Sequence, residues 1–465
     1  MIRHTLSACA AAIVIGLAGC ATRQPAVTPA DAITLPKAFS LYPDGETGAG
    51  QWWTAFAVDE LNALVDEALT NGLSVADARL RLEQAELRVQ QAGAALIPSV
   101  DLQAGAGTTR ARRDTGLNAD RTVTTDSYSL GLAASYEIDL WGRVRAERRA
   151  ILHEAAAGRH DLAAAEVSLA ATVCQTWIDL VATRMTHALL TEQLEANRKI
   201  LELVDMRFRR AMASAVDLYR QRQSVAAIEA ALPTAAATER TLANALAVLL
   251  GRTPSAAPFA PTTALPPLPA APPAVGLPAD VLARRPDVQR AGARLQAAAE
   301  RVEVARAARL PALRLTATAG YASSATATLF DNWLANLAAN LAGPLFDAGL
   351  RKAEVARIDT MRQQALIGYR QTVLNAVREV EDALVRETRQ REHVAARGRQ
   401  LAAARTALAE QVARYTRGQD NYLRVLDQQI IVWSLERDLI NAEATLLKYR
   451  IALHRSIAGA INEEE

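Results

Sequence analysis

The sequence predicts a mixed α/β membrane protein: four strands per chain join a β-barrel shared between chains and run on into long helices, with an internal duplication. Three observations carry this. From Ser99 to Thr109 the residues alternate, with Val100, Leu102, Ala104 and Ala106 set against Asp101, Gln103, Gly105 and Gly107, which is the period of a strand. From Arg81 to Gly107 the chain matches Arg294 to Gly320, 213 residues later, without a gap and with thirteen of 27 positions identical. Each copy is followed by a long stretch without proline, Arg143 to Met212 and Leu350 to Tyr415, and the first holds only Gly158 as a breaker. At 1.5 Å per residue the first stretch would be a helix about 105 Å long, too long for a compact globule.

Taken in order, residues 1–19 read as a lipoprotein signal: a basic head (Arg3, His4), an apolar run through Ile15, then Leu17-Ala18-Gly19-Cys20. Cys20 is the expected lipid acceptor, and Ala21 stands where an Asp would suggest retention at the inner membrane. Residues 20–60 are an N-terminal extended segment. The first repeat, 61–252, opens with a short helix (Leu61, Leu64, Val65, Leu69) stopping near Asn71-Gly72 and a second from the N-cap Ser74 to Ile97. Then comes the hairpin 98–141, with a polar tip from Arg110 to Asp126 and a return strand that sets Leu130, Leu132, Ala134, Tyr136 and Ile138 against Ser129, Gly131, Ser135, Glu137 and Asp139. Helices fill 143–250, the long one carrying a stripe through Leu162, Leu169, Val173, Leu180, Leu190, Leu194, Leu201, Val204 and Phe208 that calls for helix-on-helix packing.

Residues 253–278 hold nine prolines and read as a passive, extended linker. The second repeat, 279–459, has a helix Asp287 to Leu310, a hairpin 311–346 and helices 350–457, broken at Arg417-Gly418, before an acidic tail, 460–465. In its hairpin Leu313, Leu315, Ala317, Ala319 and Tyr321 alternate with Arg314, Thr316, Thr318 and Gly320, and Trp333, Ala335, Leu337, Ala339 and Leu341 alternate with Asn336 and Asn340. Leu132, Leu315 and Leu337 are expected to face lipid, and Ser135 and Thr316 water. Four strands cannot close a barrel, since an open edge in hydrocarbon leaves backbone donors and acceptors unsatisfied. Several chains must therefore contribute.

Composition narrows the chemistry. Net charge is +2 with four lysines among 52 basic residues, so no basic excess points to nucleic acid. Beyond Cys9 and Cys20, Cys174 has no partner for a disulfide. His153, His160, His187, His393 and His454 lack ligand spacing and no Gly-Lys-Ser/Thr phosphate loop occurs, so no catalytic, metal or cofactor site is expected and the chain reads as a passive conduit.

Gln51-Trp52-Trp53, Tyr136-Glu137-Ile138-Asp139-Leu140-Trp141-Gly142-Arg143, Leu282-Ala283-Arg284-Arg285-Pro286-Asp287 and Tyr422-Leu423-Arg424-Val425-Leu426-Asp427 resemble signatures of the TolC-like outer-membrane efflux proteins, in the lipoprotein branch serving resistance-nodulation-division drug pumps. The resemblance implies a homotrimer with one twelve-stranded barrel on a long α-helical periplasmic tunnel, anchored through Cys20 in the outer membrane of a Gram-negative cell. It implies an exit duct for drugs or other small molecules, driven by an inner-membrane transporter through a periplasmic adaptor. It also implies a gate at the turns remote from the barrel: an acidic ring of Asp427, and a Tyr415 contact to Asp217 that holds neighbouring helices shut. Arg424 and Asp420 depart from the pattern of some relatives. With such a ring, the closed tip should prefer cations. An outlet for type I protein secretion or metal efflux stays open, as do a periplasmic coiled-coil scaffold lipoprotein and an exported enzyme.

Overall fold

In the computed structural model, which describes residues 38–39, 50–113, 121–254, 259, 262–269, 273 and 278–458, the alternating segments become β1 (Ser99–Arg113), β2 (Arg121–Ile138), β3 (Ala312–Ser323) and β4 (Trp333–Ala342). They form one antiparallel sheet in the order β1-β2-β3-β4. Its registers align the apolar sets of all four strands. Val100 lies opposite Ala134, Ala134 opposite Ala317 and Ala317 opposite Leu337, and Leu102, Leu132, Ala319 and Ala335 form the next such row. Ser99, Ser135, Thr316 and Ala338 share the other face with Asp101, Thr318 and Asn336. A slip of one residue at any pairing would mix the two sets, so patterning and register specify one another.

The first hairpin is longer than alternation indicated. Arg110 to Arg113 and Arg121 to Asp126, expected as a loop tip, are paired strand, and the tip shrinks to 114–120, outside the described residues. These positions are rich in Thr and Arg on both faces, so they lack apolar alternation while the Thr residues still favour strand. β2 pairs with β3 only from Tyr128 onward, which leaves Arg121 to Ser127 bound to β1 alone.

The helices are α1 (Asp59–Asn71), α2 (Leu73–Ala94), α3 (Arg143–Arg209), α4 (Ala215–Leu249), α5 (Pro278–Arg284), α6 (Pro286–Ala307), α7 (Leu350–Thr416) and α8 (Tyr422–Ile457). The long ones, α3 and α7, have 67 residues each, about 100 Å. No described helix is long and apolar enough to cross a membrane. Three expectations are corrected. Ser74 is not the N-cap of α2; Gly72 is, and the helix begins at Leu73 and ends at Ala94, short of Ile97. The segment 20–60 is not extended throughout, because Trp52–Phe56 forms a 3-10 helix that buries Trp52, Trp53 and Phe56, and α1 begins at Asp59. The proline-rich connector is not passive: Pro266 is buried, Phe259, Leu265 and Leu268 pack on the main core, Thr262 donates to Glu60 at 2.6 Å, and the Pro269 carbonyl accepts from Arg450 at 3.2 Å.

Strand passes to helix at Gly142 and Gly349, with φ of 75° and 86°, a left-handed conformation that glycine adopts without a Cβ clash. Beyond them α2 packs on α3, α3 on α6, and α6 on α7, the order of the strands they adjoin. The main core gathers Trp53, Trp177, Ile178, Leu180, Leu246 and Ile451, where the 3-10 helix, α3, α4 and α8 meet. Nearby, Arg285 of the Arg284-Arg285-Pro286-Asp287 motif is buried, binds Asp287 and Glu379, and donates to the Ser456 carbonyl at 2.8 Å, joining α6, α7 and the end of α8. Cys20 lies outside the described residues. Cys174 is buried in the core, which pushes its thiol pKa upward and leaves it unreactive.

Candidate functional site at the turns between long helices

Each long helix reverses at the end farthest from the sheet, and the two reversals are built alike. α3 stops at Arg209 and α7 at Thr416; Ala211 and Gly418 then take left-handed φ of 57° and 74°. Ser214 caps α4 and Asn421 caps α8, each accepting from the backbone three residues on, at 3.1 Å. The matching positions lie 207 residues apart.

These caps decide what Asp217 does. Its carboxylate accepts from the Ser214 amide at 3.0 Å and the Ser214 hydroxyl at 2.8 Å, a capping box. The Tyr415 hydroxyl is hydrogen-bonded by Arg207 instead of by an acid, and the Arg207 guanidinium stands 5.2 Å from the ring centre. The implied Tyr415–Asp217 contact is thus replaced within the chain by Tyr415–Arg207. Asp427 is more than half exposed and faces Arg220, the residue 207 positions earlier, at 3.5 Å. Arg424 reaches Asp420 at 3.4 Å. The carboxylates of Asp427 and Asp420 are therefore each met by an arginine of the same chain.

A second layer, absent from the sequence reading, sits just inside. Val204, Leu218, Tyr422 and Leu426 form an apolar cluster with Leu201 and Tyr415 against it. Through it runs a buried polar chain. Tyr422 donates to Gln221 Oε1 at 2.6 Å, Gln221 Nε2 donates to the side chain and carbonyl of Asn197 at 2.6 and 2.9 Å, and Asn197 Nδ2 donates to Ser224 at 2.9 Å. Burial, with Tyr415 and Asp217 nearby, pushes the Tyr422 phenol pKa well above its ordinary value, so it is a fixed donor. The chain joins α8 to α3 and α4, across the two repeats. In the sequence its trace is Asn197, a polar residue between Leu194 and Leu201 of the apolar stripe of α3. Beside it, a groove of roughly 510 Å³ opens between α4 and α8, lined by Leu190, Ile228, Leu426, Ile430 and Trp433 with Arg220 and Asp427 at its rim.

Comparison with known proteins gives the setting. The Outer membrane efflux protein family model matches residues 64–252 and 277–459. The chain is 30% identical over 422 residues to the pyoverdine export outer membrane protein OpmQ of Pseudomonas aeruginosa, covering 88% of this chain and 87% of that one. It is 32% identical to outer membrane protein OprJ of the same species (88% and 86%) and 27% identical to the cation efflux system protein CusC of Escherichia coli K12 (96% and 98%). The solved outer-membrane channel OprN has a like fold, with a TM-score of 0.84 at 24% identity over 92% of this chain and 98% of that one. A crystal structure of CusC has a TM-score of 0.80 at 25% identity (94% and 98%). The chain therefore belongs to the outer membrane efflux protein family and is an outer-membrane channel of the kind used in tripartite efflux systems.

Proposed function

We propose that three copies assemble one twelve-stranded barrel, continuous with a helical duct through the periplasm, and that this passive conduit exports drugs or other small molecules. The observation that supports this reading best is the sheet: one apolar face runs across four strands, and both of its edges, β1 and β4, are open. An open edge is tolerable in a membrane only when another chain pairs with it. On this reading Leu132, Leu315 and Leu337 touch lipid, whereas Ser135 and Thr316 line the lumen. The energy comes from an inner-membrane resistance-nodulation-division transporter coupled through a periplasmic adaptor, and Cys20 carries a lipid in the inner leaflet. Arg220, Asp427, Tyr415, Asp217, Arg424 and Asp420 surround the periplasmic tip, where the buried Tyr422–Gln221–Asn197 chain holds the helices in the closed arrangement.

The test is reconstitution. Purified protein should run as a heat-labile trimer on an unboiled gel and conduct ions in a planar bilayer, and deleting its gene should sensitise the cell to compounds that restoring the gene clears. Palmitate should label the parent protein but not Cys20→Ser. A soluble monomer without conductance would overturn the proposal.

A further inference from the structure

The two places where a strand gives way to a long helix differ in charge. At the first, Arg143 pairs with Glu137 at 2.8 Å and Arg145 with Asp139 at 3.1 Å, so each of these cations has its acid. The offset of 207 residues carries Gly142 onto Gly349 and the start of α3 onto the start of α7. It also sets Lys352 where Arg145 stands and Phe346 where Asp139 stands. The second junction has thus kept the base, lost the acid and gained an aromatic ring. Lys352 and Arg309 make no ion pair with a described residue, and both line a hollow of roughly 220 Å³ together with Leu345, which is fully exposed, and Phe346, which is 89% exposed. The one acid lining that hollow is Asp347. Its carboxylate is taken up by the Gly349 and Arg351 amides at 3.0 and 3.3 Å and lies 3.8 Å from the Arg351 guanidinium.

The sheet sets the depth of this hollow. The apolar face of β4 runs through Trp333, Leu337 and Leu341, all exposed, and the same parity leads past the end of the strand to Leu345. Trp333 to Leu341 covers about 27 Å along the strand, or about 20 Å of depth at a tilt of about 40°. An outward apolar band is about 25 Å tall and carries aromatic rings at both margins. Trp333 therefore marks one margin and Phe346 the other, on the side of the long helices. Cations beside that second margin stand at the level of lipid phosphates.

We propose that Arg309 and Lys352 hold the phosphate of an anionic phospholipid of the phosphatidylglycerol type, whose acyl chains lie along Leu345 and Phe346. The phosphodiester oxygens accept from both cations, and the two apolar side chains gain cover. A zwitterionic lipid would bring its own ammonium toward the same cations and is disfavoured. The proposal rests on the barrel reading above and adds a lipid preference to it.

Native mass spectrometry of the full-length protein released from detergent, titrated with phosphatidylglycerol or phosphatidylethanolamine, tests it. The first phosphatidylglycerol should bind the parent about thirtyfold more tightly than it binds Arg309→Ala with Lys352→Ala, about fivefold for each cation. Lys352→Arg and Arg145→Ala should bind like the parent, Phe346→Ala more weakly, and excess inorganic phosphate should not displace the lipid. Equal affinity of parent and double variant, or phosphatidylethanolamine binding as tightly as phosphatidylglycerol, overturns the site. Displacement by inorganic phosphate, or Phe346→Ala binding like the parent, overturns it as well, because no acyl chain is then held. A parent protein that conducts in a planar bilayer but fails these tests leaves the channel reading standing, and one that neither inserts nor conducts overturns both.

Discussion

Replacing Tyr422 by Phe isolates the buried polar chain at the tip. The ring remains, so the cluster with Val204, Leu218 and Leu426 keeps its packing, and only the hydroxyl that donates to Gln221 is lost. Gln221 is fully buried, and its Oε1 would be left without its donor. A buried acceptor stripped of its partner costs about 1 to 3 kcal/mol, which is about a 5- to 150-fold shift in an equilibrium. If the bond exists only while the helices of the two repeats are together, that shift falls on the closed state of each copy. The exposed Arg220–Asp427 pair at 3.5 Å contributes at most about 1 kcal/mol, so the buried chain decides. Single-channel recording in a planar bilayer should show Tyr422→Phe open far more often than the parent. Tyr422→Phe with Gln221→Met should add little more, because the two residues share one bond. An open probability for Tyr422→Phe equal to the parent's would refute the latch.

The remaining predictions address other parts of the molecule. Leu132→Arg should cost about 2 to 4 kcal/mol of barrel stability and reduce trimer yield, while Ser135→Arg on the opposite face should not; equal yields would reject the assignment of faces. Arg220→Ala should expose the Asp427 carboxylates and increase block by divalent cations, and Asp427→Ala should relieve it, both read as current against divalent concentration. His454 is buried against Trp52, and burial together with the Arg450 charge pushes its pKa from 6.5 down to about 4. The fold thus favours the neutral imidazole: this contribution is complete above pH 6.5 and is lost as pH falls from there toward 4, a change on the order of 3 kcal/mol. In His454→Gln the unfolding midpoint should lose that part of its pH dependence.

Much of the architecture was legible because it rests on local periodicity. Alternation located all four strands, and the proline-free stretches Arg143 to Met212 and Leu350 to Tyr415 located the two long helices to within a few residues. Where local pattern and tertiary pairing part, the sequence was silent. Thr122 to Thr125 carry no apolar alternation, yet they pair along β1 because that strand is already in place. The prolines of 253–278 exclude helix but say nothing of the core surface that holds Pro266 and Leu268. The tip shows the same division. The positions of Asp217, Tyr415 and Asp427 at turns could be read from the repeat, and Asp217 has a local partner in Ser214, but the partners of Tyr415, Asp427 and Tyr422 could not be read, since Arg207, Arg220 and Gln221 are brought to them only when helices of different repeats lie side by side. Gln221 and Ser224 look like ordinary exposed residues in the sequence, and only packing makes them interior.

The unequal hairpins bear on what the cell shows to its surroundings. Seven residues of β2, Arg121 to Ser127, continue past the last pairing with β3, so a two-stranded ribbon rises about 23 Å beyond the shared sheet. Among the described residues the β2 edge of this ribbon has no strand beside it, so its backbone groups need water, and its arginines and threonines suit that medium. In the closed ring proposed above, the tall and short hairpins would alternate, so that arginine- and threonine-rich ribbons would stand above a recessed mouth. Substitutions in that ribbon would change the outermost surface of the hairpin and leave the paired sheet beneath it untouched.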